Sequence, residues 1–233
     1  MTHKWVPSTR FASHFTVDDQ PAIVTMPTGS GKTAVLMMLQ FVLRNNRILI
    51  ITPSRLVRGQ IAEDFSSLRI LRDIGVLLDG VELPRIIELD ERIRSVEDWE
   101  ALRDCYVVVS TPNCTSPGYE GIPNPPADLF DLLIIDEAHH GPAHTRAALL
   151  ESLKTTRHAL FSATPFRRDR SEIPGRFVFN YTNARTYADH IFGRIRYVQV
   201  DPEEGVSSDV AIARRTAEVF EADRKLAHIG KLT

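Results

Sequence analysis

The sequence predicts an α/β fold: a three-layer sandwich with a mainly parallel sheet at its centre. Three observations carry that reading. Short apolar runs alternate with amphipathic segments as far as Pro165. Several runs are continuous, such as Ile48-Leu49-Ile50-Ile51 and Leu132-Leu133-Ile134-Ile135, as strands covered on both faces require. A glycine-rich segment, Gly29-Ser30-Gly31, joins the first run to a helix-forming stretch.

The elements follow in order. Ala22–Met26, Arg47–Thr52, Tyr106–Ser110, Leu132–Asp136 and His158–Ser162 are expected strands. Lys32–Arg44, Arg55–Leu71, Val96–Arg103 and Thr145–Leu153 are expected helices between them. This alternation marks a doubly wound domain. Thr111–Pro126, rich in Pro, Gly and Asn, reads as an exposed loop. Beyond Pro165 the rhythm changes. Phe177–Tyr181 and Ile195–Val200 read as strands, Asp201–Gly205 as a polar break, and about Ser208–Ala227 as a last helix. The expected organisation is one lobe over residues 1–200 and a linker with a helix over 201–233.

Composition narrows the class. The 233 residues are 43% hydrophobic and 25% charged, an ordinary globular profile. Lys plus Arg number 28 against 30 Asp plus Glu, which excludes a globally basic nucleic-acid coat but not a local basic track. The cations are nearly all arginine; the lysines are Lys4, Lys32, Lys154, Lys225 and Lys231. Cys105 and Cys114 form neither a disulfide framework nor a CxxC pair. Met1–Arg10 has no apolar signal region. The longest mostly apolar stretch, Ala34–Leu43, falls short of the roughly 20 residues that span a bilayer. A cytoplasmic setting is the expectation.

Two segments carry chemistry. Met26-Pro27-Thr28-Gly29-Ser30-Gly31-Lys32-Thr33 follows a strand and opens a helix, the context of a phosphate-binding P-loop. Gly29 and Gly31 let backbone N–H groups turn inward, and the helix N-terminus adds positive potential. Thr28, Gly29, Ser30, Gly31, Lys32 and Thr33 are the expected nucleotide contacts. Lys32 would reach the outer phosphates, and the Thr33 hydroxyl would ligate Mg²⁺. Met26 stands where the strict pattern has glycine. A turn that only caps the helix is the alternative.

The second segment is Leu132–Ile135 followed by Asp136-Glu137-Ala138-His139-His140. An apolar strand ending in two acids puts carboxylates at the sheet edge where such folds bind ligands. Asp136 would hold Mg²⁺ and Glu137 would polarise an attacking water. Two alternatives stand beside this: a strand ended by solvated acids, and a metal cluster of His139, His140 and His144 with the acids.

In order along the chain, five segments resemble the motifs of lobe 1 of a superfamily 2 helicase. MPTGSGKT (26–33) resembles motif I, and TPSRLVRGQ (52–60) motif Ia. Ser110-Thr111-Pro112-Asn113 resembles motif Ib, DEAHH (136–140) motif II, and Ser162-Ala163-Thr164-Pro165 motif III. The continuation Phe166-Arg167-Arg168-Asp169 is similar to the DEAD/DEAH-like group containing type III restriction-enzyme subunits. The resemblance implies a RecA-like P-loop NTPase fold, ATP with Mg²⁺, and catalysis by Lys32, Asp136 and Glu137. It implies strand contacts from Thr52, Pro53, Ser54, Arg55, Thr111 and Pro112, which position nucleic acid without reading sequence. It gives Ser162 and Thr164 the role of linking nucleotide state to lobe movement. A histidine of the DEAHH segment, His139, would join them by hydrogen bonding to the neighbouring strand. A solvated helix face stays open as the reading of Arg58. Arg167, Arg168 and Arg170 could form a basic rim facing nucleic acid or another lobe, with a solvated charge run as the alternative.

The resemblance also has gaps. Gln20 lies in a Val-Asp-Asp-Gln-Pro context too near Lys32 to take the family's adenine-reading role. Motifs IV to VI, which supply a second lobe and its arginines, are absent from the chain. The expected function is therefore the ATP-binding lobe of a helicase or translocase acting on nucleic acid, DNA ahead of RNA. No membrane is involved, and protein partners would belong to repair, restriction or defence. Two rivals are a nucleotide-binding regulatory or scaffold module without efficient hydrolysis, and a self-contained P-loop ATPase.

Overall fold

The computed structural model describes residues 5–78, 80–139, 142–163, 174–191, 197–201 and 205–229. The chain divides into two compact units, residues 1–192 and 193–233. In the first unit the strands are β1 (Ala22–Thr25), β2 (Ile48–Ile51), β3 (Ile86–Glu88), β4 (Val107–Ser110), β5 (Leu132–Ile135), β6 (Arg157–Ser162) and β7 (Arg176–Asn180). They form one seven-stranded sheet in the order β3-β4-β2-β5-β6-β1-β7. Every pairing among them is parallel.

The apolar runs explain the layering. Along each strand, successive side chains point to opposite faces. Val24, Ile50, Val109, Ile134 and Phe161 enter one core with α1 (Trp5–His14), α2 (Lys32–Val42), α3 (Arg55–Ser67) and α4 (Arg69–Asp73). Ile23, Leu49, Val108, Leu133 and Leu160 enter the other, with Trp99 of α5 (Val96–Glu100) and Leu149 of α7 (Ala143–Ser152). β1, β2, β4 and β5 are buried at every residue. Each fully buried Val, Leu or Ile contributes roughly 1.5–3 kcal/mol, so a polar residue inside any of these runs would cost the sheet directly.

All five strands expected before Pro165 form, with ends within a residue of the expectation, and Phe177–Tyr181 is realised as β7. Three expectations need correction. The helix expected over Arg55–Leu71 breaks at Leu68, which takes a left-handed φ of 49° and separates α3 from α4. Leu68 is fully buried, and that burial offsets the backbone strain. Thr111–Pro126 is not simply an exposed loop. Pro112 opens a short helix, α6 (Pro112–Thr115), a position where proline's missing N–H costs nothing. Thr111, Cys114, Thr115, Ser116 and Ile122 are buried, and Trp99 Nε1 donates to the Pro123 carbonyl at 3.0 Å. Of the strand expected over Ile195–Val200, residues 197–200 are irregular and the rest lie outside the described residues. Sequence reasoning also missed α1, β3 and α8 (Asn183–Ala188).

The second unit contains one long helix, α9 (Ser208–Ile229). Among the described residues no helix is long and apolar enough to cross a membrane.

Phe161 is fully buried, with its ring 5.5 Å from that of Phe11 on α1. Phe161→Ala is expected to lower the unfolding free energy by about 3–5 kcal/mol. Urea unfolding at unchanged m-value reads this; a loss below about 1 kcal/mol would contradict the placement of this ring in the core.

Candidate functional site

Because all seven strands are parallel, their carboxyl ends open on one edge, where open α/β sheets take ligands. β5, β6 and β1 are neighbours there. Their ends deliver Asp136-Glu137, Ser162 and the loop 26–31 to one place. The Met26 amide donates to the Ser162 carbonyl at 2.9 Å and ties the loop to β6.

The loop is shaped by its glycines. Gly29 has φ 80° and Gly31 φ 91°, a backbone region open to glycine and strained for other residues. Nothing lies within 4 Å of where a Gly29 Cβ would stand. Ser30 Oγ donates to the Pro27 carbonyl at 2.6 Å and closes the turn. α2 begins at Lys32 with no side-chain cap and no acid in its first turn. Its first-turn N–H groups and positive dipole end are therefore left to an anion. This donor set fits a polyphosphate.

Lys32 Nζ lies 2.9 Å from Asp136 Oδ1 and also pairs with Glu137 Oε1. Asp136 is 6% exposed. Burial pushes its carboxyl above the usual aspartate range, and Lys32 opposes that push. Thr33 stands in the first turn of α2. A hydroxyl and a buried carboxylate are hard oxygen donors, which suit Mg²⁺.

Glu137 is held unusually. Its φ is 50°, a left-handed conformation that costs a non-glycine residue roughly 1–3 kcal/mol and persists only where neighbours over-determine it. Its amide donates to Asp136 Oδ1 at 3.0 Å, and its Oε2 accepts from the Ala163 amide at 3.3 Å. His139 Nδ1 lies 3.3 Å from Glu137 Oε2 and 2.9 Å from Ser162 Oγ, with the tautomer deciding which group donates. The expected juxtaposition of His139 and Ser162 is therefore present. Thr164, His140 and the run Arg167, Arg168 and Arg170 lie outside the described residues.

The other predicted residues sit at the ends of β2 and β4. Ser54 caps α3, its Oγ accepting from the Val57 amide at 3.3 Å, and Ser54 and Arg55 are exposed. Thr111 is buried, its hydroxyl 3.6 Å from Cys114 Sγ, and Pro112 is half-buried. Arg58 is no solvated side chain. It is buried, with Nε donating to Glu88 Oε1 at 2.9 Å and Nη1 to the Leu89 carbonyl at 3.3 Å. Gln20 is exposed, and its carbonyl lies 2.7 Å from the His14 ring Nε2. A cavity of about 70 Å³ between the two groups is lined by Thr52, Pro53, Pro112, Asp136, Glu137 and Arg146. Sequence reasoning missed Arg146. One arginine in a short helix with little apolar patterning gives no signal that it turns inward.

This fold is RecA-like, and the glycine-rich loop and strand-end acids make its parallel-sheet edge a candidate phosphate site. Among solved structures, a DEAD box protein from the hyperthermophile Methanococcus jannaschii has a similar fold, with TM-score 0.52 and 24% identity over 73% of this chain and 47% of that one. A nuclease-deletion mutant of the Type ISP restriction-modification enzyme LlaGI, solved with a DNA substrate mimic, gives TM-score 0.52 and 17% identity over 96% of this chain and 22% of that one. The UvsW helicase from bacteriophage T4 gives 0.47 and 20% over 68% and 51%. The chain spans about half the length of these structures or less. The curated proteins contain no match. Residues 3–167 match the family model of the type III restriction enzyme, res subunit. The chain belongs to that family.

Lys32→Ala leaves the two acids facing each other without their cation. A carboxyl with a raised folded-state pKa favours folding while protonated and loses that contribution as pH rises. The Tm deficit of Lys32→Ala is therefore expected to shrink as pH falls from about 7 toward the ordinary aspartate range near about 4. A deficit constant over that window would contradict the pairing.

Proposed function

We propose that this chain is the ATP-binding lobe of a DNA helicase or translocase that couples ATP hydrolysis to movement on nucleic acid. The pairing of Lys32 with both Asp136 and Glu137, at the uncapped start of α2, carries the reading. In it, residues 1–200 form the lobe, and 201–233 lead toward a second lobe.

The loop residues Thr28, Gly29, Ser30 and Gly31 cradle the phosphates of ATP through backbone N–H groups. Lys32 leaves the carboxylates and turns to the outer phosphates, exchanging one anionic partner for another. Thr33 and Asp136 are the ligands for Mg²⁺, which when bound neutralises phosphate charge and polarises the transferring group. Freed of Lys32, Glu137 orients the attacking water and accepts its proton. His139 and Ser162, with Thr164 in the same motif, pass the state of Glu137 to the end of β6. Ser54, Arg55, Thr111 and Pro112 face one strand along its backbone. The exposure of Ser54 and Arg55 supports this, while burial of Thr111 leaves it to act through its backbone. Membership of a restriction-enzyme family favours DNA over RNA.

A second lobe contributes arginines that stabilise transition-state charge, worth roughly 10³–10⁵-fold in phosphoryl transfer. The purified chain is therefore expected to bind Mg-ATP and turn it over slowly. Stimulation by single-stranded DNA, duplex DNA or RNA is expected only when the chain is extended through a second lobe. An ATPase assay with each nucleic acid on both forms tests this, and absence of nucleotide binding would overturn it. Glu137→Gln is expected to keep nucleotide binding and to lower hydrolysis by about 10²-fold or more. Unchanged hydrolysis would remove Glu137 from the reaction.

A further inference from the structure

Arg146 has no part in the mechanism above, yet it is a charged side chain turned into the protein, 9% exposed. Its Nη1 donates to the Ala138 carbonyl at 2.5 Å. Ala138 directly follows Glu137, the residue held at φ 50°. The Ala138 amide donates to the Phe161 carbonyl at 2.7 Å. The residue after the left-handed turn is thus pinned twice, by its N–H to β6 and by its C=O to α7. A guanidinium is a stronger donor than a neutral group, and a buried carbonyl that lost it would be left unsatisfied.

The helix that carries Arg146 is tied to a second place. Ser116 Oγ, just past α6, donates to the Thr145 carbonyl at 2.6 Å. A Cβ added to Gly118 would stand 2.7 Å from Thr145 Cα, so the two backbones touch where only glycine fits. A continuous set of contacts therefore runs from α6 through Ser116 and Thr145 to Arg146, and on to Ala138 and Glu137. Pro112, at the start of α6, lines the same cavity as Arg146 and Glu137.

We propose that Arg146 is a positioning residue: it clamps the Ala138 carbonyl, keeps Glu137 in its left-handed turn, and joins that turn through α7 to the α6 segment. The clamp is a property of the fold. Its consequence for catalysis rests on the reading of Glu137 as the group that orients water.

Hydrogen exchange with mass spectrometry, on the purified chain, tests the clamp without any activity. In Arg146→Leu, amides of residues 137–139 are expected to exchange about tenfold faster or more, while those of 132–135 keep their rates. Arg146→Lys, which keeps a charged donor, is expected to fall between this variant and wild type, and it decides the matter if Arg146→Leu does not fold. Equal rates at 137–139 in wild type and the folded variant would overturn the clamp. Steady-state ATP hydrolysis tests its consequence. Arg146→Leu is expected to lower kcat about tenfold with KM within about twofold, and Arg146→Lys to restore much of the loss. Faster exchange with unchanged kcat would overturn the positioning role. A wild-type chain that neither binds nor hydrolyses nucleotide would defeat the reading of Glu137, while the exchange rates still decide the clamp.

Discussion

One ammonium group holds the candidate site together. Lys32 Nζ lies between Asp136 and Glu137, and Asp136 is buried almost completely. A carboxylate in that position is costly without a cation beside it. The pairing therefore constrains everything around it. It requires the loop after β1 to meet the end of β5, and the sheet supplies that by placing β6 between the two strands, all with their carboxyl ends on one edge. It also requires Glu137 to turn back toward Lys32, and the left-handed backbone of Glu137 is how the chain does so.

The same pairing gives the site its chemical character. A cation already balanced by two anions can be drawn away only by something at least as anionic, which is what a polyphosphate at the start of α2 offers. Its departure would leave two acids available, one buried among apolar strand ends and one reaching His139, Ala163 and the neighbourhood of Ser162. On the proposed reading, binding and preparation of the acids are one exchange of partners.

The sheet and the meeting of Lys32 with the two acids were legible in the sequence, for definite reasons. Ile48–Ile51 and Leu132–Ile135 announced buried strands because both faces of the sheet are covered, so no polar residue interrupts them. Lys32, Asp136 and Glu137 were legible because glycine-rich turns and strand-terminal acids leave local patterns. What failed was information that is not local. β3 is three residues at the sheet edge, too short for a period. Thr111–Pro126 has the composition of a loop, but composition reports backbone preference, and burial there depends on Trp99 and on Ser116 reaching Thr145. Arg58 and Arg146 look alike on paper to any exposed helical arginine. Only Glu88 and the Ala138 carbonyl, brought up by the fold, turn them inward.

On the proposed reading, the Lys32 pairing marks a nucleotide site. Isothermal titration of the purified chain with Mg-ADP tests it most directly, with Lys32→Ala and the distant Arg103→Ala titrated in parallel. Saturable one-site binding is expected in wild type and in Arg103→Ala, weakened about tenfold or more in Lys32→Ala. No binding by the folded wild-type chain, or equal affinity in all three, would mean that the Lys32 pairing does not mark a nucleotide site.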